Sequence, residues 1–226
     1  MRKLIIFNGT VGSGKTTQII LLASRLKHKK VKVKTTVLKT NHIFSYVLTV
    51  ILAKLIGDNR KNVYPLRKLI EERSEILKKL LKLWLFLDLV SITIRFLITV
   101  YAPLKRGHVV LIEEYIPAII ADYIYIIKAI GGDLKKLHFT YLFLRKLIDV
   151  AKPISIIYLD APNNILKKRW RNKGIIEEKP DYIVMQRTLL LKISKSLAQS
   201  FLYLNTGSRN ITETHKTIWR FVTKGF

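Results

Sequence analysis

The stretch Gly9-Thr10-Val11-Gly12-Ser13-Gly14-Lys15-Thr16, followed by Thr17, decides the fold of this 226-residue chain. It matches the pattern G-x-x-x-x-G-K-[ST] in full, and it lies between an apolar run at residues 4–7 and a helical pattern at residues 16–26. A strand, a glycine-rich turn and a helix in this order form a loop whose backbone N–H groups wrap around phosphates. The sequence therefore predicts a phosphate-binding loop at residues 9–17.

The residues of this loop have separate predicted roles. The glycines let the backbone approach its ligand closely, and the helix N-terminus adds partial positive charge. Lys15 is predicted to reach the β- and γ-phosphates of a nucleoside triphosphate, and the Thr16 hydroxyl to bind Mg²⁺. The motif indicates a triphosphate ligand without deciding which reaction follows.

Apolar runs of strand length alternate with longer helical patterns along the rest of the chain. This alternation is typical of a parallel sheet wrapped by helices. Strands are predicted at residues 3–8, 30–38, 108–113, 153–160 and 201–205. Helices are predicted between them, at residues 15–26, 43–100 with an interruption near 57–65, 117–130, 134–150, 162–172, 181–199 and 211–222. One α/β domain covering residues 1–226 is the simplest interpretation.

The composition limits the partners and the location. The chain has 41 Lys and Arg against 15 Asp and Glu, a formal charge of +26, and no cysteine, which excludes disulfides and thiolate chemistry. A basic surface attracts phosphates, whether on a nucleotide, a nucleic acid or an anionic membrane. The uncharged stretch at residues 40–53 is too short to span a membrane, and the apolar stretch at residues 83–94 is broken by Asp88. Both are interpreted as buried helices of a soluble, cytoplasmic protein.

Two further groups of residues are candidates for chemistry. The apolar run 109–112 ends in Glu113 and Glu114, and ligands of such sheets bind at the carboxyl ends of the strands. Glu113 is favoured to hold Mg²⁺ through water or to orient the acceptor, and Asp122 is a weaker alternative. The basic helical stretch from residue 167 offers Arg169 and Arg171 to neutralise charge during phosphoryl transfer. With the charged segment that follows, it predicts a mobile lid at about residues 167–180.

Together these residues resemble the thymidylate kinase family of P-loop nucleoside monophosphate kinases. The similarity runs from the phosphate loop through residues 109–123, then Tyr158-Leu159-Asp160-Ala161-Pro162 and the basic lid, to Asn205-Thr206-Gly207 and the helix after it. The resemblance implies a five-stranded parallel sheet with helices on both faces, ATP as phosphate donor, Mg²⁺, and a nucleotide acceptor beneath the lid. Members of the family often dimerise through helices, and residues 83–100 are the candidate for such a homodimer.

The chain departs from the family at the acceptor side. Val11 stands where the family usually has an acidic residue, and Leu38-Lys39-Thr40 replaces the Arg-Glu-Pro signature. Glu113-Glu114-Tyr115 replaces Asp-Arg-Tyr, so an anion stands where a cation is expected. The arginine expected near residues 86–90 is missing, and Arg95 is the next one along the chain. The sequence therefore leaves the acceptor open, thymidylate or another molecule, and Lys39 or Arg67 is a candidate to replace the lost phosphate contact.

Two alternatives remain open. A P-loop phosphotransferase or ATPase acting on nucleic acid would use the positive charge, with Trp84, Trp170 and Trp219 as stacking surfaces. The sequence does not favour it, because no RNA-binding signature accompanies these tryptophans. A nucleotide-binding protein with impaired catalysis would explain Glu114 and the missing arginines.

Overall fold

The computed structural model of the protein describes residues 3–55, 64–174 and 176–224. At its centre lies a five-stranded, entirely parallel sheet with the order β2-β3-β1-β4-β5. The strands are β1 (Leu4–Gly9), β2 (Val33–Val37), β3 (Val109–Glu113), β4 (Ile154–Asp160) and β5 (Ser200–Asn205). All five predicted strands are confirmed, as is the parallel α/β arrangement.

Helices connect the strands and cover the sheet. They are α1 (Lys15–His28), α2 (Ile43–Leu55), α3 (Pro65–Glu72), α4 (Ser74–Lys79), α5 (Leu81–Phe96), α6 (Ala102–Lys105), α7 (Ile116–Ala129), α8 (His138–Val150), α9 (Asn163–Asn172), α10 (Pro180–Met185), α11 (Leu191–Leu197) and α12 (Ile211–Thr223). π-Helical segments join α5 to α6 and α10 to α11, so the predicted helix at 181–199 is a composite of three pieces. Most of the predicted interruption at 57–65 lies outside the described residues.

Alternate side chains of the central strands pack against two separate cores. Ile6 and Ile112 point to the face covered by α5, α7 and α8, whereas Phe7 and Leu111 point to the face covered by α1 and α12. Successive strand residues point to opposite faces of a sheet, and a parallel sheet buried on both faces needs continuous apolar strands. The runs of Leu, Ile and Val that predicted the strands therefore also fix the two-sided architecture.

Asp88 on α5 holds together the turn that connects β2 to α2. It is completely buried, and its carboxylate accepts hydrogen bonds from the backbone N–H groups of Asn41 and His42 and from the hydroxyls of Ser45 and Tyr123. Burial raises the pKa of Asp88, while these hydrogen bonds act in the opposite direction. The turn needs this support because Asn41 and Ile43 have positive φ values of 60° and 45°, and a β-branched residue such as Ile43 rarely adopts this conformation.

The prediction that both apolar stretches form buried helices is only partly correct. In α2, the buried side chains are Ser45, Thr49 and Ala53, whereas Val47 is 53 % exposed and Leu55 79 % exposed. An apolar helix is buried only on the face that a neighbouring element covers. In α2 the covered face is the polar stripe next to Asp88. The apolar side chains of α2 therefore point outward.

One helical stretch of the described chain is long and apolar enough to cross a membrane. Leu81–Lys105 has 25 residues and a mean hydropathy of 2.0 in its most apolar window, of which 44 % is buried inside the molecule. Core helices of soluble proteins meet the same criteria of length and composition. The predicted absence of a membrane span accordingly stays a prediction.

Candidate functional site

The phosphate loop connects the carboxyl end of the central strand β1 to the N-terminus of α1. Gly9, Gly12 and Gly14 all have positive φ, at 129°, 83° and 96°. A Cβ atom at Gly9 would collide with the carbonyl oxygen of Leu159, so this position requires glycine. α1 begins without a side-chain cap and without an acidic residue in its first turn, and the Ser13 hydroxyl is buried without a partner among the described residues. These features leave polar groups of the loop available to an anion.

Lys15 lies inside the loop rather than in solvent. It is only 5 % exposed, and its Nζ donates hydrogen bonds to the carbonyl oxygens of Gly9 and Thr10 at 3.1 and 3.0 Å. Thr10 is fixed in turn, because its hydroxyl donates to Asp160 at 2.9 Å. Neutral carbonyl oxygens thus hold the ammonium group at the loop, and a phosphate oxygen can replace them as its hydrogen-bond acceptor.

Thr16 and Glu113 meet at the foot of the loop, as the sequence predicts for a shared metal site. The Thr16 hydroxyl lies 3.0 and 2.9 Å from the two carboxylate oxygens of Glu113. β3 pairs directly with β1, and the register places Glu113 opposite Phe7. A hydroxyl and a carboxylate are hard oxygen ligands of the kind that Mg²⁺ takes beside substrate phosphates. Within the described ranges no three His, Asp or Glu side chains are grouped around a metal position, so phosphates would supply further ligands.

α9 covers the loop through Arg169 and Trp170. Arg169 donates to the carbonyl oxygen of Gly12 at 3.2 Å and to the hydroxyl and carbonyl oxygens of Thr206 at 3.0 and 2.9 Å. Trp170 Nε1 donates to the carbonyl oxygen of Val11 at 3.1 Å. A Cβ on Gly12 would lie 2.7 Å from this nitrogen, so the absence of a side chain there permits the contact. The predicted lid therefore begins as a helix packed against the loop.

Arg171 lies elsewhere. Its side chain is 74 % exposed and pairs with Glu177 at 3.2 Å, so the structure brings Arg169 to the loop but not Arg171. The two arginines are two positions apart on α9, and side chains at that spacing point in different directions. Residue 175 of the predicted lid lies outside the described residues.

Two residues of the site were missed at the sequence level, Gln186 and Arg187. The Gln186 side chain accepts from the Val11 N–H at 3.2 Å, and Arg187 Nε lies 2.9 Å from Asp160 Oδ2. Both belong to the π-helical segment Gln186–Leu190, far from the loop in sequence and in no recognisable motif. Asp160 was noticeable in the sequence because it ends a predicted strand, but the sequence did not indicate which side chains would contact it.

A pocket of about 430 Å³ opens beside the loop, on the side of Val11. Its apolar walls include three tyrosines, and its polar residues are mainly charged. The lining residues are Val11, Lys39, Thr40, Tyr64, Leu66, Arg67, Ile70, Glu71, Glu114, Asp122, Tyr125, Ile126, Glu178, Lys179 and Tyr182. The pocket thus collects the positions at which the chain departs from the thymidylate kinase pattern. Arg95 is not among them; it donates to the carbonyl oxygen of Val37.

A smaller cavity of about 190 Å³ lies on the other side of the loop. Gly12, Arg169, Thr206 and Arg209 line part of it, together with residues at the start of α12. The phosphate loop therefore stands between two cavities, one beneath α9 and one beneath α7 and α10.

Asp122 is the most perturbed carboxyl group of the larger pocket. Burial, followed by the nearby charge of Glu114, raises its pKa from 3.8 to about 7, although it accepts hydrogen bonds from Tyr182 at 3.0 Å and Thr40 at 3.3 Å. A group of this kind is protonated in the folded protein over a pH range in which it is ionised in the unfolded chain. Asp122 can therefore change between a hydrogen-bond donor and an acceptor near neutral pH.

The variant Asp122→Asn is expected to gain stability over the native protein as the pH rises. In the unfolded chain the Asp122 carboxyl group loses its proton near pH 4, whereas in the folded protein it keeps the proton until about pH 7. The native protein therefore loses stability between about pH 4 and pH 7, and the loss stays constant at higher pH. Urea unfolding of both proteins from pH 4.5 to pH 8.5 measures the difference. Parallel stability curves across this range would contradict the raised pKa.

Comparison of the chain with models of known protein families and with curated proteins gives no significant match. The proposed function therefore rests on the geometry of the loop and of the two cavities.

Proposed function

We propose that the protein is an ATP-dependent phosphotransferase resembling thymidylate kinase, a P-loop kinase that moves the γ-phosphate to an acceptor in the 430 Å³ pocket. The observation that carries the proposal is the contact of Thr16 with Glu113 beside a complete phosphate loop. A cavity lies on each side of this loop. A kinase needs a donor site and an acceptor site that meet at the transferred phosphate, and a simple nucleotide-binding switch needs only the first.

Each part of the site has a proposed role. The N–H groups of the loop and of the first turn of α1 bind the β- and γ-phosphates, and Lys15 moves from its carbonyl partners to the γ-phosphate as negative charge develops there. Thr16 and Glu113 hold Mg²⁺, which when bound neutralises phosphate charge. Arg169 supplies a second cation above the loop, and α9 excludes water from the transfer. The smaller cavity accommodates the base of the donor.

The position of the tryptophans supports this proposal over action on nucleic acid. Trp84 is completely buried and Trp170 is 3 % exposed, while Arg25 lies 4.1 Å above the ring of Trp219. Bases of a single strand stack on exposed aromatic faces; Trp84 and Trp170 offer none, and Arg25 covers one face of Trp219. The positive charge then serves the attraction of anionic nucleotides, together with the solubility of the chain.

Calorimetry with Mg-ATP and a transfer assay with [γ-³²P]ATP test the proposal together. The expected result is saturable Mg-ATP binding and label transfer to at least one member of a mixed pool of nucleosides and nucleoside monophosphates. Absence of binding would reject the proposal. Binding without transfer would favour the nucleotide-binding protein of impaired catalysis, and release of labelled phosphate that no acceptor increases would indicate an ATPase.

A further inference from the structure

The 430 Å³ pocket has a charge unlike that of the chain around it. Four of the chain's 15 carboxylates line it, Glu71, Glu114, Asp122 and Glu178, against three of its 41 cations, Lys39, Arg67 and Lys179. Protonation of Asp122 would still leave as many anions as cations. A pocket that receives a doubly charged phosphate group needs an excess of cations, which this strongly basic protein provides almost everywhere else.

Two of the three cations are already neutralised by carboxylates of the same pocket. Arg67 Nε lies 3.1 Å from Glu71 Oε1, and Arg67 Nη1 lies 4.0 Å from Glu178. Lys179 Nζ lies 2.9 Å from Glu71, and its hydrogen bond is the main reason that the pKa of Glu71 is lowered. Arg67 therefore does not present a free fork to an acceptor phosphate, as the sequence suggested it would.

Glu114 adds a negative charge close to the phosphate loop. It directly follows Glu113, its backbone N–H donates to the carbonyl oxygen of Phe7, and its side chain makes no hydrogen bond or ion pair with the described residues. It lines the pocket together with Val11 of the loop, and its charge raises the pKa values of both Asp122 and Glu178. Its φ of 58° is a strained conformation for a residue with a side chain. Backbone strain and an unpartnered carboxylate at one residue are typical of a functional position.

The remaining walls suit a flat ring. Tyr125 and Tyr182 meet edge to face with centroids 5.1 Å apart, and Leu66 and Ile70 line the pocket with them. Asp122 lies beside Tyr182 and presents a carboxyl group to the polar atoms of such a ring. A volume of about 430 Å³ falls within the range of pockets for small organic molecules.

From these observations, and resting on the proposed kinase function, we infer that the acceptor is a nucleoside-like molecule that reacts through an uncharged hydroxyl, rather than a nucleoside monophosphate. The hydroxyl oxygen forms a bond to the γ-phosphorus, and the bond from that phosphorus to the oxygen bridging to the β-phosphate breaks. ADP leaves, and the proton of the hydroxyl is released to solvent. The carboxylates of the pocket, with Glu114 next to the loop, disfavour a second phosphate group there.

Matched pairs of acceptors test this inference with the full chain and [γ-³²P]ATP. Each pair consists of a nucleoside and its own 5′-monophosphate, with adenine, guanine, cytosine and thymine as bases. In at least one pair, kcat/KM for the nucleoside should exceed that for its monophosphate by about tenfold or more. Monophosphates that react as well as their nucleosides in every pair would overturn the inference. Protein that binds Mg-ATP but phosphorylates no nucleoside would overturn it equally.

Variants at position 114 separate this inference from the kinase proposal. Glu114→Gln removes one negative charge from the pocket, so the ratio of kcat/KM for a nucleoside to that for its monophosphate should fall by roughly threefold or more, while the Kd for Mg-ATP stays unchanged. Glu114→Gly removes the same charge and accommodates the positive φ, so the ratio should fall equally. The control Glu75→Gln removes an exposed carboxylate on α4 and should leave the ratio unchanged. An unchanged ratio in both Glu114 variants contradicts selection by the charge of the pocket, whereas failure of the native protein to bind Mg-ATP rejects the kinase function itself.

Discussion

Lys15→Ala is expected to lower phosphate transfer from Mg-ATP by roughly 10²- to 10³-fold, or about 3 to 4 kcal/mol of transition-state stabilisation, the effect of losing one preorganised donor. The expectation follows from the position of Nζ, which the carbonyl groups of Gly9 and Thr10 hold inside the loop. Single-turnover transfer under saturating Mg-ATP measures the effect on the chemical step.

The control for this variant is Lys105→Ala, which removes an exposed ammonium group at the end of α6. It should leave transfer within a factor of about two, since surface charges far from a reaction contribute little to it. Thermal unfolding shows whether the Lys15 variant remains folded. Equal transfer rates for the two variants would mean that the lysine of the loop has no part in the reaction.

Asp88→Ala should destabilise the protein by about 3 to 5 kcal/mol, a large share of the total stability of a domain. The substitution leaves three donors without an acceptor, two backbone N–H groups and the hydroxyl of Tyr123, while the Ser45 hydroxyl keeps the carbonyl oxygen of His42. It also releases the turn before α2, which includes Asn41 at a φ of 60°. Urea unfolding measures the loss.

Asp149→Ala is the matched control, because it removes an exposed aspartate that pairs only with Lys152 on the surface. Its unfolding free energy should stay close to that of the native protein. Asp88→Asn, which keeps one carbonyl acceptor, should lie between the two alanine variants. Similar losses for Asp88→Ala and Asp149→Ala would show that the buried network does not stabilise the turn.

The parts of the molecule that follow from local sequence were predictable. Short apolar runs predict the strands, and an unbroken sequence pattern between a strand and a helix predicts the phosphate loop. Glu113 was predictable because parallel strands bring their carboxyl ends to one edge, and this contact to Thr16 is present. These features depend on chain neighbours or on the general geometry of a sheet.

The composition of the 430 Å³ pocket could not be predicted, because it depends on contacts between residues far apart in the sequence. Arg67 looked like a phosphate ligand, yet Glu71 and Glu178 neutralise it, and the second of these lies more than a hundred residues away in sequence. Gln186 contacts Val11 of the loop, and Arg187 contacts Asp160 beside it, from a π-helical segment that no periodicity in the sequence indicates. α2 was predicted to be buried, but no sequence pattern states which of its faces meets another helix.

The packing of α9 on the loop offers an internal optical reporter for the proposed ligand. The indole nitrogen of Trp170 donates to the carbonyl oxygen of Val11, within the loop to which we propose that a triphosphate binds. A change in that bond alters the polarity around the indole and with it the colour and intensity of its emission. We therefore expect Mg-ATP to change the tryptophan fluorescence of the unlabelled protein.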